Sequence, residues 1–314
     1  MTKEELKNKR IGILMGGISP EREISLKTGE AILKALKEKG YQVVKIEVDQ
    51  KVPFRLIEEK IEIAFIALHG PWGEDGTIQG MLEIMGIPYT GSGVLASALA
   101  MNKVMAKRIF LYHNLPTPEF QVLNKKDPEI RLTIIPPLVV KPVCGGSTIG
   151  TSVVRSYEEI KTALQKASLY SDELLIEKYV EGTDLTVGIL EGKPLPLIQI
   201  IPKSGFYDYS SKYTPGETEY RIPAPLPQEV TRRAQKLAVS AFQALQCSGV
   251  ARVDLRLTPQ EELTILEVNT IPGFTETSLL PMAAAKVGID FPNLTELILC
   301  SAKLHITNPI KDND

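Results

Sequence analysis

The sequence predicts a mixed fold, α/β at its start and α+β beyond, with a parallel sheet organising the first part. Three observations carry this expectation. Strand and helix patterns alternate over roughly the first hundred residues, which implies crossover connections and parallel pairing. After Asn114-Leu-Pro-Thr-Pro118 the pattern changes to that of a small α+β lobe. A length of 314 residues suits two or three domains rather than one.

The elements follow in order. Residues Lys3 to Arg10 mix Lys with Glu4 and Glu5 and are expected as a solvated helix or tail. Ile11–Met15 is a short apolar strand, and Glu21–Lys39 has helical periodicity through Ile24, Ala31, Ile32, Leu33, Ala35 and Leu36 before Gly40 stops it. Tyr41–Val48 and Ile61–Leu68 are further strands, and Gly80–Gly86 closes a helix. Pro88–Gly93 turns the chain toward a helix over Ala96–Tyr112. The lobe that follows has strands near Leu138–Lys141, Thr151–Val154 and Leu174–Glu177, with a helix near Tyr157–Ala167. Strands through Leu185–Ile189 and Leu195–Ile201 lead to an irregular stretch, Lys203–Thr218, long enough to suggest function. A helix over Gln228–Leu245, the strands Ala251–Leu257 and Leu263–Asn269, and a helix near Asn293–Lys303 complete the chain.

Composition narrows the function classes. A hydrophobic fraction of 43% and a charged fraction of 24% are those of a soluble globular protein with ample core material. The net charge of −2, from 36 basic and 38 acidic residues, argues against a nucleic-acid partner. Cys144, Cys247 and Cys300 form neither a disulfide framework nor a zinc signature. With no apolar leader and no long apolar run, the expectation is a cytoplasmic protein without a membrane partner.

The strongest chemical signal is the pair of alternating strands around the turn Thr258-Pro259-Gln260. Side chains two apart share a face. One face is expected to carry Val253, Leu255, Leu257, Leu266 and Val268, and the other Arg252, Asp254, Glu267 and Asn269. Two carboxylates and an amide on one patch suit Mg²⁺ shared with phosphates; a solvated strand face is the plain alternative. Lys141-Pro-Val-Cys-Gly-Gly-Ser-Thr-Ile-Gly150 offers glycines through which backbone amides could approach phosphate, with Ser147, Thr148 and Lys141 beside them. A ligand-free hairpin tip fits the same residues. No Walker A loop is present, since no Gly-Lys-Ser/Thr occurs there.

Met15–Glu23 joins the first strand to a helix without the G-x-G-x-x-G dinucleotide fingerprint. Ser19 is expected as N-cap and Pro20 in the first turn. Glu21 would repel a pyrophosphate there and suits a substrate ammonium, although a helix-capping role is open. His69 ends a strand among glycines, where parallel sheets bind ligands; a structural histidine is the alternative.

Taken together these residues resemble the D-alanine–D-alanine ligases of the ATP-grasp superfamily. The resemblance runs from about Ile11 to about Ser301. It is carried by Gly16–Ser25, His69–Gly80, Tyr89–Gly93, Phe206–Tyr213 and Glu267–Gly273. It implies a three-domain ATP-grasp fold: residues 1–100 as substrate domain, 101–182 and 183–314 as the lobes around ATP, with 203–218 as a mobile loop. Lys103, Lys141 and Lys212 would serve the nucleotide, with Ser147 over its phosphates. Glu177, Lys178, Tyr179 and Val180 would form the adenine hinge, and Asp184, shorter than the Glu often found, would meet the ribose. Asp254, Glu267 and Asn269 would hold magnesium, two ions being expected and manganese a possible substitute.

On the substrate side, the resemblance implies that Glu21 holds the first D-alanine's ammonium and His69 lies near its carboxylate. Ser278 would bind the second carboxylate, and Arg252 with the Gly273 N–H would form the oxyanion site. Glu21, Ser147 and Tyr213 would share the amine's proton. Tyr213 points to a dipeptide rather than a depsipeptide product. The implied activity is ATP-dependent joining of two D-alanines for peptidoglycan precursors, by a homodimer. Its rivals are another ATP-grasp ligase, a nucleotide-binding sensor without catalysis, and a dinucleotide-dependent oxidoreductase.

Overall fold

A computed structural model describes residues 1–127, 131–208, 211–212, 214 and 216–306. The chain divides into two compact units. Met1–Ala98, Gln246–Ala251 and the stretch from Thr270 onward make the first, and Leu99–Leu245 with Arg252–Asn269 the second.

In the first unit Arg10–Gly16 is the middle strand of three, paired in parallel with Gln42–Val48 and Ile63–Ile66. Leu14, Ile46, Ile66, Leu82 and Tyr89 are buried in its core, so the near-continuous apolar strand reading is what a covered parallel sheet requires. The helix Arg22–Glu38 buries Ile32, Ala35 and Leu36. Thr77–Met85 ends at Gly86, whose φ of 67° is left-handed and is adopted most readily by glycine. At the start, Lys3–Lys7 is a helix with a capping box between Thr2 and Glu5. The short helix Val52–Glu58 escapes a periodicity reading because Phe54 and Ile57 stay exposed while Val52 and Leu56 are buried. Leu279–Ala285 is a further helix, and Asp290 caps Phe291–Cys300, which starts two residues before the expected Asn293.

The second unit holds two sheets. Phe120–Asn124, Glu173–Lys178, Leu138–Pro142 and Ser152–Val154 lie in that order in an antiparallel sheet. The helix Tyr157–Ser168 shares the core of that sheet through Ile160, Ala163, Leu164 and Ala167. The larger sheet runs Thr218–Arg221, Ile198–Pro202, Thr183–Leu190, Val250–Leu257, Leu263–Asn269, with Lys193–Pro194 also on Thr183–Leu190. Thr218–Arg221 pairs antiparallel with Ile198–Pro202.

Three expectations change. The single helix Ala96–Tyr112 is two, Val94–Met101 and Lys103–Tyr112, because the Asn102 side chain accepts from the Met105 N–H and starts a new helix. The strand Leu195–Ile201 is likewise two, Lys193–Pro194 and Ile198–Pro202. In the Leu263–Asn269 strand a bulge intervenes: Asp254 faces Glu267, but Leu255 faces Ile265. Leu266 therefore leaves the apolar face and Ile265, fully buried, takes its place. Without that extra residue strict alternation would put Leu263 and Ile265 on the charged face. No helix among the described residues is long and apolar enough to cross a membrane.

Candidate active site

A cavity in the second unit gathers most of the residues expected to serve a nucleotide. Lys103, Lys141, Lys212, Asp254 and Glu267 line it, as do the hinge Glu177–Val180, Asp184 and loop residues Gly145, Gly146 and Thr148. Val139, Leu185, Ile200 and the bulged Leu266 form apolar walls, a composition that suits a planar base beside charged groups. Ser147, Arg252 and Asn269 are not among the lining residues.

Local structure explains the placement of each lysine. The helix break at Asn102 puts Lys103 in a first turn, where its N–H donates to Val143 O at 3.1 Å and its Nζ to Gly145 O at 2.6 Å. Lys103 also stands 3.6 Å from Glu267. Lys141 is the penultimate residue of its strand and pairs with Glu177, whose other oxygen lies 2.7 Å from the fully buried Lys107. Burial pushes the Lys107 ammonium down to about 8 against the opposing pull of Glu177. Burial alone would raise the Glu177 carboxyl, but Lys107 and Lys141 hold it below its ordinary value. Lys212, lowered by burial, lies 5.1 Å over the Tyr207 ring.

The charged strand face is as expected for four residues. Arg252 is opposite Asn269, and Asp254 opposite Glu267. Arg252 grips Asp254 with two bonds, 2.9 Å from Nε and 2.8 Å from Nη2. Asp254 also accepts from Thr186 Oγ1 at 2.6 Å and Asn269 Nδ2 at 3.2 Å. Burial would lift the Glu267 carboxyl, but Lys103, Lys212, Lys141 and Arg252 pull it down to about 2. Burial opposes the Arg252 charge, and Asp254 outweighs it. Among the described residues no three His, Cys, Asp or Glu gather as metal ligands. The donor set is instead two carboxylates and an amide, few hard oxygens of the kind magnesium accepts when phosphate and water complete its shell.

Asp184 lines the cavity and pairs with Arg256; burial raises its carboxyl although Arg256 pulls the other way. The hinge N–H groups of Lys178 and Tyr179 donate to the carbonyls of Glu119 and Pro137, at 2.9 and 3.1 Å. In the loop, Ser147 and Thr148 take left-handed φ values of 52° and 61°, and the Thr148 hydroxyl donates to Tyr207 O at 3.2 Å. Tyr213 lies outside the described residues.

The first unit brings together Glu21 and the loop after His69. The helix starts at Arg22, so Glu21 rather than Ser19 takes the N-cap position, and its side chain makes no capping bond. Ser19 Oγ instead accepts from the Glu21 N–H at 3.1 Å. Glu21 is buried, and a Cβ on Gly70 would lie 3.2 Å from its Oε2. His69 Nε2 is 3.3 Å from the Thr28 hydroxyl. A Cβ on Gly73 would press on Leu68, and one on Gly273 would stand 3.5 Å from Ser278 Oγ, which places Gly273 beside Ser278. Ser278 Oγ accepts from the Thr275 N–H at 3.0 Å.

Sequence reading missed Lys107, Thr186 and Arg256. Each carried a signal. Lys107 is one helical turn from Lys103, Thr186 shares a strand face with Asp184, and Arg256 shares one with Asp254.

The model of the D-ala D-ala ligase C-terminus matches residues 110–300, and that of the D-ala D-ala ligase N-terminus residues 53–92. The chain is 51% identical to the D-alanine–D-alanine ligase of Syntrophotalea carbinolica, over 97% of this chain and 99% of that one. Identity to the corresponding ligase of Geotalea uraniireducens is 49%, covering 98% and 100%. Among solved structures, a D-alanine–D-alanine ligase from Bacillus anthracis complexed with ATP superposes with a TM-score of 0.83 at 35% identity, over 93% of this chain and 97% of that one. The VanG D-Ala:D-Ser ligase from Enterococcus faecalis gives 0.80 at 28% identity, over 93% and 99%. With an ATP-grasp fold of mixed α/β and α+β sheets, this chain belongs to the D-alanine–D-alanine ligase family.

Proposed function

We propose that the chain joins two D-alanines at the expense of ATP, releasing ADP and phosphate. The observation that carries this reading is one cavity shared by a glycine-rich loop, Lys103, Lys141 and Lys212, and the carboxylates of Asp254 and Glu267. A carboxylate oxygen of the first D-alanine bonds to the γ-phosphorus as the bond to ADP breaks. The amine nitrogen of the second then bonds to the carbonyl carbon of that D-alanyl phosphate, phosphate leaves with the C–O electron pair, and the nitrogen loses a proton. Phosphoryl transfer mainly requires positioning and charge neutralisation.

Lys103, Lys141 and Lys212 neutralise phosphate charge, and the loop with Ser147 covers it. Val180 offers the base the hinge N–H, because those of Lys178 and Tyr179 are already used within the protein. Asp184 accepts from the ribose. Asp254, Glu267 and Asn269 would hold magnesium, two ions with manganese as substitute, which would add cationic charge beside the phosphates. Glu21 takes the first D-alanine's ammonium, His69 lies by its carboxylate, and Ser278 binds the second carboxylate. Arg252 and the Gly273 N–H are each donors to the oxyanion, while Ser147 and Tyr213 join Glu21 in handling the amine's proton. Lobe boundaries at residues 100 and 182, a moving loop 203–218, a homodimeric state and a cytoplasmic role in peptidoglycan precursor supply belong to the same proposal.

The test is phosphate release from ATP with D-alanine, L-alanine, D-serine or D-lactate, with product masses measured. D-alanyl-D-alanine as main product is expected; ATP turnover indifferent to all four would sink the reading. Tyr213→Phe should gain D-lactate as second substrate, and an unchanged product ratio removes Tyr213 from that choice.

A further inference from the structure

Arg256 is the one charged residue on the Val250–Leu257 strand whose contacts all go to the far wall of the cavity. Its side chain is 9% exposed. Nε donates to Val180 O at 2.9 Å, Nη2 to the Tyr179 hydroxyl at 3.0 Å, and Nη1 pairs with Asp184 Oδ1. Its guanidinium carbon lies 5.4 Å from the Tyr179 ring centroid, and that of Arg155 lies 5.8 Å from the same centroid. One planar fork therefore ties together a hinge carbonyl, a hinge aromatic ring and the carboxylate of a neighbouring strand.

The backbone leaves little room for another arrangement. Gly182, between hinge and strand, has a φ of 146°, and a Cβ there would sit 2.0 Å from Leu257 O. The turn after the hinge is thus pressed against the end of the strand that carries Arg256. Asp184 is short and cannot follow a ligand as a longer glutamate could. Its position has to be set by the protein, and an arginine fork sets direction as well as charge.

We propose that Arg256 is the positioning residue for ribose recognition, holding Asp184 by one oxygen so that the other accepts from the sugar hydroxyls. It holds Tyr179 and Val180 in register with that acceptor. The inference rests on the cavity being the nucleotide site. It makes Arg256 a determinant of selectivity for a nucleotide that carries ribose hydroxyls, without contact to the reacting atoms.

Equilibrium binding of ATP and of 2′,3′-dideoxy-ATP, measured by calorimetry without D-alanine, separates the possibilities. The wild-type protein is expected to bind ATP ~10–100-fold more tightly than the dideoxy form, as for loss of a hydrogen bond to a charged group. In Arg256→Met that ratio should fall below about threefold, with the KM for D-alanine unchanged. A general loss of structure would weaken both nucleotides alike and leave the ratio intact. Where Arg256→Met does not fold, Arg256→Lys carries the test, because an ammonium lacks the planar fork that fixes the direction of its bonds. An unchanged ratio in either folded variant, or equal binding of both nucleotides by the wild type, overturns the inference. No ATP binding by the wild type would instead overturn the nucleotide reading itself.

Discussion

Two glycine-rich loops follow strands in this protein, one after Ile63–Ile66 and one after Leu138–Pro142, and they are held in opposite ways. The first is stapled by its own carboxylates: the Gly70 N–H donates to Glu74 at 2.7 Å, and the N–H groups of Trp72 and Thr77 to Asp75 at 2.9 and 3.0 Å. Gln79 closes it with a 2.7 Å bond to Gly73 O. The second, Val143–Gly150, contains no acid at all. Its tethers come from outside, from Lys103 to Gly145 O and from Thr148 to Tyr207 O. A loop whose N–H groups serve its own carboxylates is rigid and points side chains such as His69. A loop without acids has no carboxylate of its own to compete with an anion for its amides.

The largest effect should come from making the second loop like the first. Gly146→Asp places a carboxylate beside the proposed phosphates, and like charges at about 4 Å in a partly buried site predict ATP binding weaker by ~10²–10³-fold. Near-normal affinity in calorimetry would show that this loop does not cradle phosphate. Gly70→Ala attacks the first loop, where φ is 69° and a Cβ would meet Ser19 Oγ at 2.5 Å. The KM for D-alanine should rise about tenfold with ATP affinity unchanged, given a left-handed cost of roughly 1–2 kcal/mol plus displacement of Ser19 and Glu21. A change in ATP affinity alone would reverse the assignment of the two loops.

Smaller effects grade the staples. Glu74→Gln weakens one charge-assisted bond, so urea unfolding should report a loss of about 1 kcal/mol with ATP affinity intact. Thr148→Val cuts one tether of the second loop, and ATP affinity should shift by no more than about threefold. A loss tenfold larger would mean that the loop depends on Tyr207 for its shape.

Much of this was legible in advance because short-range rules governed it. Periodicity placed the parallel strands and the helix Arg22–Glu38, and two-residue alternation put Arg252 with Asp254. Glycine-rich spacing marked both loops. Where reading failed, a local rule met a competing contact. Asn102 split a helix whose apolar pattern ran on, since a capping bond at 3.0 Å outweighs continued periodicity. Ser19 looked like an N-cap, yet the helix began three residues later and left Glu21 buried beside Gly70.

By itself the sequence determined the fold class, the family and the identity of the charged residues, because residue spacing controls local backbone form and which side chains share a face. Only the tertiary structure decided their partners. Leu266 became a cavity wall through a bulge that exists only when two strands pair. Arg256 reaches Asp184 across 72 residues and Tyr179 across 77. No periodicity spans such separations; they close only when strands from distant parts of the chain lie in one sheet.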